Sequence, residues 1–578
     1  MKRTTACFLA AMTAFASAAY ATDIFVAPEG RGEMTGADWS NALKGTLEGY
    51  SDVRAAIVAA VADGATEVNV YFAGGSYTIT NQISLSSIAI PVKLSGGYLA
   101  ETDGSFDKGE TATTFARSTY NIRFIAATSL SALRIEGITF SGGYVSYGGA
   151  KGGAVYLSSS TAVISNCVFS GNTFSSTTKD SRNGSVNYLG GGGAVAAMGP
   201  GSLEVDACTF ANNRHAAGGS YNHNCGGAVL GYNVALNVRN STFRNNYMNG
   251  GAGRNTLFGA AMGTYYGNVS ISNCTFSANY IVGAGYDPGG SSGGALAIRD
   301  AVSFKMADST LAGNYVANST GMTFPFTAGI LLMDDWNASD GLAKSVVERC
   351  VFDSRTAPQT TSSRNAQSDI LLTGGQLFMT NCLVFASKGA GTYGDYAVRN
   401  VGSIAYSGST TKYYGYIYSA VTCAPSYMEL VNCTIADGQK YGVAAVDSAA
   451  NISLKNCIAW GNSVSGVVNA ASIEYSCIQE PHDGAGNFVA DPHGTGAPYY
   501  HLLTKRAGGA ITDGWFGGTY NSPKTEKNSP CLDVGAPGSA GLDLEPHPHG
   551  RHVNLGAYGG TPWASKTLSP PATMLFAY

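Results

Sequence analysis

Residues 203–210 read LEVDACTF. The same small pattern returns as AVISNCVF (162–169), LNVRNSTF (236–243), VSISNCTF (269–276), FKMADSTL (304–311), SVVERCVF (345–352), LFMTNCLV (377–384), MELVNCTI (428–435), ISLKNCIA (452–459) and SIEYSCIQ (472–479), with LRIEGITF (133–140) ahead of them. Aligned on Cys167, Cys208, Ser241, Cys274, Ser309, Cys350, Cys382, Cys433, Cys457 and Cys477, successive copies lie 41, 33, 33, 35, 41, 32, 51, 24 and 20 residues apart. A constant core with elastic spacers is the mark of a solenoid. Within LEVDACTF the apolar residues Leu203 and Val205 alternate, and so do Cys208 and Phe210, but the alternation slips by one between the pairs. Two short strands therefore meet at a corner that keeps both apolar sets facing inward. The residue before the cysteine position is Asn166, Asn240, Asn273, Asn381, Asn432 or Asn456. Asparagine tolerates the left-handed backbone such a bend needs, and stacked copies align their amides in a ladder. The expected fold is all-β, a right-handed parallel β-helix with strands about 4.8 Å apart.

Across 578 residues the chain is 44% hydrophobic and only 12% charged, with 76 glycines, 33 tyrosines and a formal net charge of −4. That composition suits tight turns and polar-aromatic faces, and it provides no basic footprint for nucleic acid. Lys2 and Arg3, the apolar run from Ala6 to Ala16 and the small-residue site Ala19–Tyr20–Ala21 read as a secretory signal peptide over residues 1–21. No later stretch has the roughly 20 apolar residues needed to cross a bilayer as a helix. The mature chain is expected outside the cytoplasm, at a bacterial surface, secreted or periplasmic. Residues 22–118 read as an N-terminal cap with first strands, including the amphipathic helix SDVRAAIVAAVADG (51–64). Residues 119–480 carry the β-helix and 481–578 a C-terminal capping segment, where prolines and histidines accumulate.

Export would make a disulfide framework of the cysteines the default reading. On adjacent parallel rungs, however, Cβ atoms sit about 4.8 Å apart, where a disulfide needs about 3.8 Å. Cys167, Cys208, Cys274, Cys350, Cys382, Cys433, Cys457 and Cys477 are therefore read as a buried stack of small apolar groups, with Cys225, Cys423 and Cys531 off the ladder.

Four Gly-Gly-Ala-aliphatic units (152–155, 192–195, 226–229, 293–296) accompany four Phe-x-x-Asn units (169–172, 210–213, 243–246, 276–279). Their pairing resembles the repeat signature of bacterial polymorphic outer membrane proteins, β-helical adhesins and autotransporter passengers. The tail, with YYHLLTKRAGG, SPCLDVGAP and EPHPHGRHVNLGAYGGTPWASK, is similar to the closing segment of exported bacterial right-handed β-helix proteins. The resemblance implies fold and export, and a departure accompanies it: only a dozen residues follow Lys566, where a polymorphic membrane protein carries its transporter barrel.

Three clusters carry candidate chemistry. Asp334, Asp335 and Asp340 flank Trp336 in MDDWNASDG, an arrangement able to bind and hydrolyse a sugar or simply to form a solvated turn. His547, His549 and His552 have metal-like spacing, but the prolines between them also fit a cap loop. In KYYGYIY, Tyr414, Tyr416 and Tyr418 share one face of a strand, suited to stacking on sugars or to packing inward. No cofactor is predicted, and the oligomeric state is not legible. The partner is read as a polysaccharide or a surface protein. No acid or arginine constellation recurs on neighbouring rungs, so the sequence points first to an adhesive binding protein, with a polysaccharide lyase or glycoside hydrolase as the alternative.

Overall fold

The computed structural model describes residues 20–45, 52–101, 107–118, 121–147, 150–176, 189–216, 223–250, 256–282, 292–317, 326–333, 344–358, 367–388, 396–401, 426–446, 450–505, 510–512, 519–521 and 525–567. They form a parallel β-helix. Sheet A has 15 strands, sheet B 13 and sheet C 12, and their order shows that each strand's neighbours in the long sheets belong to the rungs before and after it. One rung runs through Ser202–Asp206 in sheet A and Thr209–Ala211 in sheet B, crosses the outer strands Arg214–His215 and His223–Cys225, and returns through Val229–Tyr232 in sheet C. The next rung pairs in register, Leu203 with Leu236, Val205 with Val238 and Phe210 with Phe243.

The slip in alternation is the corner between sheets A and B. Asn166, Ala207, Asn240, Asn273, Asp308, Arg349, Asn381, Asn432, Asn456 and Tyr475 all sit there with φ between 47° and 55°. Just inside the corner lie the buried Cys167, Cys208, Ser241, Cys274, Ser309, Cys350, Cys382, Cys433 and Cys457. Next inward, Phe140, Phe169, Phe210, Phe243 and Phe276 stack with centroids 4.6–4.9 Å apart and planes within 13°. This column forms because the rung spacing equals the separation of parallel aromatic rings.

Two expectations need correction. Cys477 is not on the ladder: it pairs with Ile458, and Ser476 occupies the ladder position, its hydroxyl accepting from Cys457 N at 3.0 Å just as Ser241 does from Cys208 N. The copy SIEYSCIQ aligns one residue earlier than its cysteine implies, because small Ser476 fits the core and the outward side of this last rung is covered. The continuous amide ladder also lies elsewhere. Among the described corner asparagines, only Asn273 and Asn240 bond side chain to side chain (2.8 Å), whereas Asn172, Asn213, Asn246, Asn279 and Asn314, at the far end of sheet B, link at 2.9–3.0 Å. The far-end amides are buried, so each must find a partner, and the next rung's amide is the nearest one. Of the corner asparagines, Asn166, Asn240 and Asn273 are exposed, whereas Asn432 and Asn456 are buried and bond to the C-terminal segment.

The glycine pairs allow close approach at the entrance to sheet C. Gly152, Gly192, Gly226 and Gly293 have φ of 63–80°, and a Cβ on Gly153 or Gly193 would lie 2.1 Å from the carbonyl of the next rung. At the N-terminal end the helix Asp52–Ala62 buries Val53, Ile57 and Ala60 against the main core and stops before Gly64 (φ +91). The helix thus covers the first open rung. The 51-residue gap between Cys382 and Cys433 contains no extra rung, since Gln376 pairs directly with Tyr427.

Beyond sheet B, the strands Tyr144–Tyr147, Thr173–Ser176, Arg214–His215, Tyr247–Asn249, Tyr280–Val282 and Tyr315–Ala317 form a fourth sheet. A fifth, of Leu189–Gly191, His223–Cys225 and Thr256–Phe258, lies beside it. Val145, Phe174, Met248, Leu257, Ile281 and Val316 form a side core between them, while Cys225, Phe258 and Leu230 fill a second one against sheet C.

Candidate functional site

The outward-facing residues of sheet B change character along the helix. The column Thr139, Val168, Thr209, Thr242, Thr275, Thr310 continues as Val351, Leu383, Thr434, Ile458, Cys477. The second outward column passes from Ser141, Ser170, Ala211, Arg244, Ser277 and Ala312 to Asp353, Phe385, Ala436 and Trp460. Apolar side chains on an outer face require a cover. The C-terminal segment supplies it, packing Tyr500, Ala557 and Tyr558 on Val351, Leu383 and Phe385, and Leu502, Cys531, Leu532 and Leu555 on Ile458 and Cys477.

Corner asparagines anchor this cover. Asn381 Nδ2 donates to the carbonyls of Ala557 (3.0 Å) and Gly559 (2.8 Å), and Asn432 Nδ2 to Gly559 (2.9 Å). Asn456 accepts from Ala536 N at 2.7 Å through its side chain and from Gly556 N at 2.9 Å through its carbonyl. These three were read from sequence as rungs of a ladder; in the fold they hold the cap.

Where the segment 491–502 lifts off the sheet it leaves a cavity of about 160 Å³, lined by Thr434, Asp437, Trp460, Asp491, Tyr500 and Leu502. Asp437 follows the strand Thr434–Ala436 in a left-handed turn (φ 54), which throws its side chain to the outside. Asp491 lies on the opposite wall, where its Oδ1 accepts from His493 N at 2.8 Å. Both carboxylates are exposed, and the half-buried Trp460 lies between the sheet and the cap. Tyr500 is buried against Phe385 (centroids 5.1 Å) and donates its hydroxyl to Asp437 Oδ2 at 2.5 Å. Burial first, and then the hydrogen bond to Asp437, push the Tyr500 hydroxyl far above its ordinary value, so it stays a donor.

A second group of charges borders the cleft. Arg355 forks onto Asp353 (Nη2 to Oδ2 2.7 Å, Nε to Oδ1 3.0 Å) and lies over the Phe385 ring at 5.4 Å. Beneath it Asp369 is buried and accepts from the hydroxyls of Ser354 (2.5 Å) and Ser387. Burial pushes this carboxyl up to about 6, against the pull of the two hydroxyls and with a further push from Asp353. In chemical terms the cleft offers two solvent-facing carboxylates, a fixed phenol and an indole.

None of these groups was singled out in the sequence, where Asp437 is an ordinary turn aspartate and Asp491 one of many cap residues. The usable signal was the replacement of most outward threonines after Thr310, with Thr434 the exception, by Val351, Leu383, Ile458 and Cys477. Asp334, Asp335, Trp336, Asp340, Tyr414, Tyr416, Tyr418 and Cys423 lie outside the described residues. His547 and His549 stack ring on ring (4.3 Å), His549 Nδ1 donates to Gly550 O at 2.9 Å, and His552 Nδ1 is buried with no hydrogen bond. Among the described residues no group of three or more His, Cys, Asp or Glu side chains is gathered to hold a metal ion, so the three histidines do not converge. Cys225 ends the middle strand of the fifth sheet and is buried against Leu230 and Phe258, and burial pushes its thiol up to about 12. Among the described residues no helix is long and apolar enough to cross a membrane.

The chain matches no protein-family profile and no curated protein sequence. Among solved structures it is similar to the A-module of a mannuronan C-5 epimerase from Azotobacter vinelandii, at 14% identity over 77% of this chain and 97% of that one, with a TM-score of 0.35. It is also similar to a pectate lyase (11% identity, 93% and 96% covered, TM-score 0.31) and to the catalytic domain of an alpha-1,3-glucanase (12%, 75% and 67%, TM-score 0.29). At these values no residue of theirs maps onto a residue here, and the fold rests on the strand pairing described above.

Proposed function

We propose that this is an exported protein that acts on polysaccharide, cleaving glycosidic bonds in the cleft between sheet B and the C-terminal cap. This is the alternative of the two readings drawn from sequence. The observation that carries it is the pair Asp437 and Asp491 on opposite walls of one cleft, with the Trp460 ring between sheet and cap. Paired carboxyl groups are the machinery of glycoside hydrolysis, one protonating the leaving oxygen and the other activating water or attacking the sugar. An indole beside them supplies an apolar face for a sugar ring. Tyr500 acts as a positioning residue, because its hydroxyl fixes one oxygen of Asp437 while the other remains free. We assign Asp437 as base or nucleophile and Asp491 as acid.

The test is release of new reducing or unsaturated ends from a panel of neutral and acidic polysaccharides. Asp437→Asn and Asp491→Asn are each expected to lower the rate by about a hundredfold or more with unchanged circular dichroism. Tyr500→Phe is expected to lower kcat by about tenfold, which returns no pH dependence of its own. Undiminished release by the double variant would overturn the assignment. Retention of a glycan without any release would instead favour the adhesive reading.

One observation favours that second reading. Tyr247, Tyr280 and Tyr315 stack along the outer face of the fourth sheet at 5.0–5.1 Å with planes 5–6° apart, and Arg214 Nη1 donates to the Tyr247 hydroxyl at 2.7 Å. Such a row presents one half-buried phenol edge per rung, a repeating surface suited to an extended partner.

A further inference from the structure

We propose that Cys477 and Cys531 form a disulfide that rivets the C-terminal cap to the last rung of the β-helix. The inference concerns one wall of the cleft but does not rest on how the cleft is used.

The register is the starting point. Cys477 takes the outward position of the rung, paired with Ile458, while Ser476 points into the core. Cys477 and Cys531 are both fully buried, in one cluster with Ile458, Leu502, Leu532 and Leu555. The Cys477 thiol donates to Ala490 O at 3.0 Å, and within that cluster the two sulfurs are close enough to perturb each other's titration, with the Asp491 carboxylate acting on both. The core cysteines also act on one another from rung to rung, but at a spacing fixed by the strand ladder. Cys382, Cys433 and Cys457 stand on adjacent parallel strands, and each thiol donates to a carbonyl of the rung before it, Val347, Met379 and Leu430, at 3.4–3.7 Å. The rung repeat of about 4.8 Å holds those Cβ atoms too far apart for a bond that wants about 3.8 Å. Cys531 arrives from the cap, on a backbone tied to its surroundings by Ser529 Oγ accepting from its N–H at 3.1 Å and by its carbonyl accepting from Leu555 N at 2.9 Å. No ladder spacing constrains its approach to Cys477.

The chemistry needs an oxidant, and the class named here is a small-molecule or protein disulfide. The Cys477 thiolate attacks one sulfur of that disulfide, the S–S bond of the oxidant breaks and its first thiol leaves. The Cys531 thiolate then attacks Cys477 Sγ in the mixed disulfide and expels the second. The two cysteines lose two electrons in forming one Sγ–Sγ bond, and their protons end on the two thiols of the reduced oxidant.

The full chain, prepared with oxidised glutathione, denatured without reductant and alkylated with iodoacetamide, tests this. The expected result is a peptide pair linked through Cys477 and Cys531, separated by dithiothreitol, with the ladder cysteines alkylated. Cap residues 488–505 should be cleaved several-fold faster by protease after reduction. Cys531→Ser should remove the link and make cleavage fast with or without reductant, while Cys457→Ser should keep the link. Alkylation of both Cys477 and Cys531 in the oxidised wild-type chain, or a link from either to a ladder cysteine, would overturn the proposal even if no variant folds.

Discussion

The outer face of sheet B is one continuous surface with two environments. From Thr139 to Thr310 its first outward column is threonine at every rung but Val168, while from Val351 to Cys477 it carries mostly apolar groups and lies under the C-terminal segment. The inward face is apolar and buried in both halves, phenylalanines from Phe140 to Phe276 and mostly aliphatic side chains beyond. What distinguishes them is a decision taken at the two outward side-chain positions of each rung, and that decision creates the cleft, because a cover that follows an irregular path over a regular sheet leaves a gap where it lifts. The contrast extends to buried charge: Asp353, Asp369 and Glu545 are all in the covered half, whereas the buried Arg123, Lys151 and Arg299 belong to the open half.

The largest expected effect comes from reversing the decision. Leu383 is fully buried beneath Tyr500 and Tyr558, so Leu383→Asp places an unpaired charge under the cap. It should cost about 3–5 kcal/mol and detach the segment. Thr242→Asp, at the equivalent outward position of the open half, should change stability by no more than about 0.5 kcal/mol. Urea denaturation together with the rate of proteolysis within 525–567 separates the two. Equal sensitivity at both positions would show that the covered face is not what holds the cap.

The two halves should also respond to pH with opposite sign. Burial pushes the Glu545 carboxyl up to about 7 from 4.5, although Gly560 N and Asn554 N donate to it. A carboxyl whose folded pKa is raised contributes stability that is fully present below 4.5 and lost as pH rises through about 7. Lys151 is pulled down to about 8 from 10.5, by burial first and then by Arg123. A depressed lysine contributes stability that is present above 10.5 and lost as pH falls through about 8. Each shift corresponds to at most about 3 kcal/mol. Hydrogen exchange should therefore show the cap loosening between pH 4.5 and 7, and the strands around Tyr144–Tyr156 tightening between pH 8 and 10.5. Glu545→Gln should flatten the first slope and Lys151→Met the second. A slope that survives its own substitution would assign it to another group.

What the sequence discloses follows from which forces act locally. Inward positions such as Leu203, Val205 and Phe210 are legible because every rung meets the same core, so the constraint repeats and its period can be read. The terminal helix is legible from its own apolar face and its stop at Gly64. The cap's docking is not, since it depends on contacts between residues as distant as Asn381 and Gly559, and no period links them. Asp437 is hidden for the same reason: its partner Tyr500 is 63 residues away. The misplacement of Cys477 is instructive. Two small residues, Ser476 and Cys477, compete for one slot, and the asparagine that marks the corner elsewhere is replaced by Tyr475, so residue type alone selects the wrong one.

That slot also yields the smallest expected effect, which sharpens the comparison between inward and outward cysteines. At Ser241, Ser309 and Ser476 the hydroxyl donates to the carbonyl two residues back at 2.7–2.9 Å and accepts the N–H of the preceding rung's cysteine at 3.0–3.1 Å. A serine at Cys433 would find the same two partners, Val431 O, which already accepts from Cys433 Sγ at 3.4 Å, and Cys382 N. The position is polar-tolerant because the corner turns two backbone groups toward it, so the burial cost of a hydroxyl is met by hydrogen bonds. Cys433→Ser should lie within about 1 kcal/mol of the wild type in chemical denaturation. A loss well beyond that would mean that sulfur packing, rather than small size, is what the core requires at each rung. The serines at three other rungs would then have to be stabilised by neighbours that Cys433 lacks.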